Sequence, residues 1–116
     1  MSSSQRIRRV NEAVREVLAE QLPGLKDPRI GFVTLTEVRT STDLGYAQVF
    51  FTVLPDDAET REATLAGLES ARPLLRRELG TRLRIRHVPE LRFVEDPVPA
   101  RGRRIEALLR EDRERE

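Results

Sequence analysis

Residues 32–54 read FVTLTEVRTSTDLGYAQVFFTVL. Two runs rich in β-branched and aromatic residues, Phe32–Arg39 and Tyr46–Leu54, flank the turn composition Ser41-Thr42-Asp43-Leu44-Gly45. Two strands across a short turn predict a hairpin. In the second run Ala47, Val49, Phe51 and Val53 alternate onto one face, which needs an apolar cover.

That cover is found on both sides. Upstream, Ile7, Val10, Val14, Val17, Leu18 and Leu22 form one stripe at 3.6 residues per turn, with Arg8, Glu12, Arg15, Glu16 and Glu20 opposite. The pattern predicts a helix from about Gln5 to Leu22, capped by Ser3 or Ser4 and stopped by Pro23-Gly24. Lys26–Gly31 reads as a loop. Downstream, Asp56 with Glu59 forms a capping-box pattern, and Leu65 and Leu68 are expected inward. Pro73 lacks an amide proton, its ring clashes with the Glu69 carbonyl, and it biases Arg72 out of the helical region. The expectation is two helices, about 57–70 and 73–79, joined at a kink, with Gly80 as the stop.

Arg82-Leu83-Arg84-Ile85-Arg86 alternates strictly and predicts the start of a third strand. Val88-Pro89 interrupts it, and Leu91, Phe93 and Val94 continue it to about Glu95. Pro97-Val98-Pro99 ends the sheet. A last helix is expected over 103–110, with Ile105, Leu108 and Leu109 inward. Helices on one face of a three-stranded sheet make an α+β domain.

Composition narrows the chemistry. The 116 residues suit one domain. With no cysteine there is no disulfide, thiolate metal site or Cys nucleophile, and one histidine makes no His pair. No metal site and no cofactor is expected. Paired acids at Asp56-Asp57 and Glu95-Asp96 read as a helix cap and a strand end. The six glycines are scattered, without a G-x-x-G loop, so neither a phosphate cradle nor a catalytic constellation stands out. No apolar run is long enough for a membrane span, and Met1–Gln5 lacks the apolar stretch of a signal peptide. The expected location is the bacterial cytosol, with no membrane partner.

Net charge is only +1, but its distribution is uneven. Residues 32–70 carry two bases against seven acids, net −5, whereas 72–92 carry seven against two, net +5. On a strand, Arg82, Arg84 and Arg86 would face one way about 7 Å apart, near the phosphate spacing of a nucleic-acid strand. Arg72, Arg76, Arg77 and Arg92 are near in sequence. The plain alternative is a solvated face paired with acids such as Glu37. Arg6, Arg8 and Arg9 oppose the dipole of the first helix, a conflict that an external anion or i,i+4 pairs with Glu12 and Glu16 would relieve. Aromatics are only 4 % of the chain, against a platform for stacked single strands.

Several stretches in order carry a resemblance: Arg9-Val10-Asn11-Glu12, Asp27-Pro28-Arg29-Ile30-Gly31, Val33-Thr34-Leu35-Thr36-Glu37-Val38, and Ser41-Thr42-Asp43-Leu44 with Ala47 and Val49. Leu75, Leu79-Gly80, Leu83-Arg84, Val88-Pro89-Glu90-Leu91 with Phe93, Asp96, Gly102-x-Arg104-Ile105 and Leu108-Leu109 follow. Together they resemble bacterial ribosome-binding factor A over roughly Gln5 to Leu109. The resemblance implies a KH-like domain of the second type, αββααβ, with a core of about 5–109, and the charged stretch 110–116 is expected to fray. It implies an Ala-x-Gly kink where this chain has Ala71-Arg72-Pro73, so the alanine matches and the glycine does not. It also implies a non-enzymatic late assembly factor. Such a factor binds the small (30S) ribosomal subunit and its 16S rRNA, supports maturation of the rRNA 5′ end, serves growth in the cold, and leaves before translation begins.

The resulting expectation is a single domain, monomeric when free, that meets rRNA phosphates through Arg72, Arg76, Arg77, Arg82, Arg84 and Arg86, then Arg6, Arg8 and Arg9, with Ala71 and Pro73 setting the kink. Two alternatives stay open. One is a KH-like module for messenger or transfer RNA. The other is a protein-interaction domain using its sheet edge or acidic middle.

Overall fold

The computed structural model describes residues 3–97. The order is α1 (Ser3–Gln21), a 3-10 turn (Leu22–Gly24), β1 (Phe32–Thr40), β2 (Tyr46–Leu54), α2 (Ala58–Leu83) and β3 (Glu90–Glu95). The sheet order is β1-β2-β3, with β1 antiparallel and β3 parallel to β2. A parallel neighbour needs a long crossover, and α2 supplies it. The helix expected over 103–110 and the charged tail lie outside the described residues.

The α+β class and the hairpin hold as expected. One core joins both helices to one face of the sheet: Val14, Val17 and Leu18 from α1, Leu68, Leu75 and Leu79 from α2, and the alternating β2 set Ala47, Val49, Phe51 and Val53. Leu35 and Val38 of β1 and Leu91 and Phe93 of β3 complete it. Leu35 and Val38 are three apart, so strict alternation would put them on opposite faces. A bulge resolves this: Leu35 faces Phe51 and Glu37 faces Phe50, leaving Thr36 as the extra residue.

Four expectations are corrected. First, the helix does not break at Pro73; α2 runs unbroken from Ala58 to Leu83, and Gly80 lies inside it. An interior proline costs about 3 kcal/mol. Leu68, Leu75 and Leu79, on both sides of it, are almost wholly buried and contribute roughly 1.5–3 kcal/mol each. The apolar stripe outweighs the lost hydrogen bond. Second, the third strand starts at Glu90, not Arg82. Arg82 and Leu83 are the end of α2, and Arg84 closes it in the left-handed region (φ 52°), its amide donating to the Gly80 carbonyl at 3.1 Å. There is no strand row of Arg82, Arg84 and Arg86. Third, the α2 cap is Asp57, whose carboxylate accepts from the Thr60 amide at 2.7 Å; Asp56 instead pairs with Arg61. Fourth, Leu65, expected inward, is 37 % exposed, and Thr64 and Gly67 face the core.

The Asp27–Gly31 stretch is a clamp on α2. Arg29 pairs with Asp27 and reaches the Ser70 hydroxyl at 3.0 Å. Ile30 seats over Gly67, where a β-carbon would meet Ile30 Cγ1 at 2.5 Å. Asn11 ties α1 to the outer edge of β1, its Oδ1 accepting from the Thr40 amide at 2.8 Å.

Candidate nucleic-acid interface

The arginines divide by what already holds them. Arg76 is half-buried and donates to the Val88 and Pro89 carbonyls at 2.9 and 3.3 Å. It fastens the 84–89 loop to α2. Arg72 is half-buried and pairs with Glu69 one turn back. Arg82 bridges to Glu20 of α1 at 2.5 Å. These three of the expected phosphate ligands already have partners within the protein.

Arg77, Arg84 and Arg86 are exposed, as are Arg6, Arg8 and Arg9 on α1. None of these six has an ion pair with another described residue. Of the two alternatives for the α1 cations, the pairing with Glu12 and Glu16 is not formed among the described residues. Ala71 and Pro73 sit mid-helix in α2, so neither presents a helix start to an anion.

The 84–89 loop and the α1 stretch around Val10 meet beside the β1–β2 turn, where a groove of about 510 Å³ opens. The Glu90 amide donates to the Gly45 carbonyl at 3.0 Å and locks loop to turn beneath it. Arg86 lines the groove, Arg84 lies two residues before it, and Arg6 lies one turn before Val10. Exposed cations from two distant stretches thus gather at one end of the molecule. They can neutralise phosphates without giving up an ion pair to another described residue.

The open face of the sheet differs from expectation. The register places Arg39, Gln48 and Arg92 in one row across it. Arg92 covers the Tyr46 ring at 4.0 Å and Arg39 covers the Phe50 ring at 5.3 Å. Each also lies beside an acid, Glu90 at 3.8 Å and Glu37 at 2.9 Å. This face is close to charge-balanced. At its far end the cross-strand pair Phe32 and Leu54 is 79 % and 67 % exposed.

Among the described residues no group of His, Asp and Glu side chains could hold a metal ion, and no helix is long and apolar enough to cross a membrane. Sequence reasoning gave no structural role to Asn11 and placed Leu44 in a turn without marking its left-handed backbone (φ 59°). Nothing local marks Asn11, because its partner Thr40 is 29 positions away. Leu44 had a signal: it lies in a turn composition just before Gly45, where a left-handed residue is common.

Comparison with known proteins agrees with this architecture. The family model described as Ribosome-binding factor A matches residues 6–109. Ribosome-binding factor A of Geotalea uraniireducens is 50 % identical over 107 residues, covering 91 % of this chain and 87 % of that protein. The crystal structure of ribosome-binding factor A from Thermus thermophilus superposes with a TM-score of 0.69 at 28 % identity, covering 77 % of this chain and 93 % of that one. A homology model of the Thermus thermophilus factor, fitted into the cryo-EM map of a 30S complex, matches with a TM-score of 0.61 at 30 % identity, covering 72 % and 88 %.

Proposed function

The chain belongs to the ribosome-binding factor A family, and from that premise we propose that it binds the small (30S) ribosomal subunit through its 16S rRNA. The related factor fitted into a 30S complex supports this most directly. In this reading Arg6, Arg8, Arg9, Arg77, Arg84 and Arg86 reach phosphates, while Arg76 and Arg82 tie the neighbouring elements to α2 and Arg72 is paired within that helix.

Recognition is led by charge and shape. Phosphate contacts orient the domain, and few base edges are read. The protein works as a cytosolic assembly factor without catalysis, holding an immature conformation of the subunit while the rRNA 5′ end is processed. Because structured RNA is most easily trapped in the cold, its loss is felt most at low temperature. The working unit is one KH-like domain over about 5–109, monomeric when free.

Co-sedimentation with purified subunits over a salt series tests the reading. Salt-sensitive pelleting with 30S subunits, but not with 50S subunits or 70S ribosomes, is the expected result. Equal pelleting with every RNA species would refute a 30S-specific role.

A further inference from the structure

Among the described residues, two non-glycine side chains sit on positive-φ backbone: Leu44 (φ 59°) and Arg84 (φ 52°). Each left-handed residue costs on the order of 1–2 kcal/mol, and such cost gathers where function needs a shape. The two belong to elements 40 positions apart, yet both flank the groove at the basic end. Leu44 lines it directly, and Arg84 turns the chain so that Ile85 and Arg86 line it too.

The walls are apolar, formed by Val10, Leu44, Ile85, Val88 and Pro89. A volume of about 510 Å³ falls within the roughly 300–1,000 Å³ typical of small-ligand sites. One carboxylate enters this setting, that of Asp43. Its Oδ1 is fixed by the Ser41 hydroxyl at 2.7 Å and the Gly45 amide at 2.9 Å. These bonds hold its carboxyl below the usual range, so it is ionised at neutral pH. Its Oδ2 has no hydrogen bond to another described residue. The groove thus combines apolar walls for a flat ring, a rim cation in Arg86 and a fixed acceptor in Asp43.

We propose that this groove takes one unpaired nucleotide of the bound RNA, with the base between the apolar walls, its phosphate on Arg86 and its amino group on Asp43 Oδ2. The proposal rests on the RNA-binding reading above and deepens it. A carboxylate acceptor favours bases with an exocyclic amino group. Uracil, whose single Watson–Crick N–H is flanked by two carbonyls, is repelled. The site therefore selects guanine, adenine or cytosine against uracil.

The test is amide NMR of the full chain with four pentanucleotides, UUGUU, UUAUU, UUCUU and UUUUU, alongside 30S binding by the variants Asp43→Asn and Ile85→Ser. The asparagine side chain keeps a carbonyl for the turn but places an amino donor where Oδ2 was. Expected are shifts at Leu44, Gly45 and Arg86 and binding about tenfold weaker for UUUUU, the effect of one charge-assisted hydrogen bond. In Asp43→Asn the order should reverse towards uracil, and Ile85→Ser should weaken 30S binding. If 30S subunits bind normally but the groove amides ignore all four RNAs and neither variant changes 30S affinity, the nucleotide pocket is wrong and the function reading stands. Groove shifts caused only by ribosomal protein would overturn it equally. Loss of 30S binding by the unaltered chain would remove the function reading itself.

Discussion

Replacing Arg84 and Arg86 together with glutamine should change the salt dependence of RNA binding by a calculable amount. Both side chains are exposed and neither has an ion pair with another described residue, so their removal leaves the core intact. Six such cations are available. If all six neutralise phosphates, the slope of log K against log salt is about −4 to −5, taking roughly 0.7–0.9 per contact. Raising salt fourfold then weakens binding by roughly three hundred- to two thousand-fold. Removing two contacts reduces the slope by about 1.4–1.8. The assay is filter binding or sedimentation with 30S subunits between about 50 and 200 mM salt, with circular dichroism as the folding control. The opposite design is Arg76→Gln. It leaves the Val88 and Pro89 carbonyls without their donor, so it should lower the melting temperature and free the 84–89 loop. If the double variant keeps the full slope while folded, the basic end is not the phosphate-contacting surface and the assignment fails.

Other outcomes follow from the fold. Pro73→Ala restores an amide donor inside an unbroken helix and should stabilise the protein by up to about 3 kcal/mol in urea unfolding; a loss of stability would mean that α2 needs the proline. Gly67→Ala should destabilise by about 1–2 kcal/mol, because overpacking against Ile30 exceeds the gain in helix propensity. Adding Ile30→Ala should recover part of that loss in thermal melts. Asp27, Asp43 and Asp57 are each held below their ordinary 3.8 by hydrogen bonds. Their contribution is fully present above that value and is lost as pH falls through the lower folded values. The melting temperature should be flat from pH 7 to 5 and drop below about pH 4, and Asp57→Asn should blunt the drop.

The parts legible in sequence are those where local pattern and tertiary demand agree. The α1 stripe and the alternation of Ala47, Val49, Phe51 and Val53 are read correctly because each faces one shared core. The failures occur where a local signal loses to distant packing. Pro73 signals a break, but leucines on both sides are drawn to the same sheet. Arg82–Arg86 alternates like a strand, yet the parallel register Tyr46↔Glu90 sets where β3 begins. The bulge at Thr36 has no signature in the strand itself. For the site, charge identified the basic block but not its wiring. The bonds of Arg76 to the 84–89 loop and of Arg82 to Glu20 set these arginines apart from those without an ion pair among the described residues, and the Arg82 bond spans 62 positions.

The central claim is that the end carrying the 84–89 loop faces ribosomal RNA. The chain has no cysteine, so a single one can be placed at will. His87→Cys lies on the groove beside the β1–β2 turn, and Thr34→Cys lies towards the other end of β1, about 20 Å along the strand from Thr40. An iron chelate tethered at each position cleaves nearby RNA by hydroxyl radicals. Strong, localised 16S cleavage from position 87 and little from position 34 is the predicted result. Cleavage from position 34 with silence at position 87 would contradict the account.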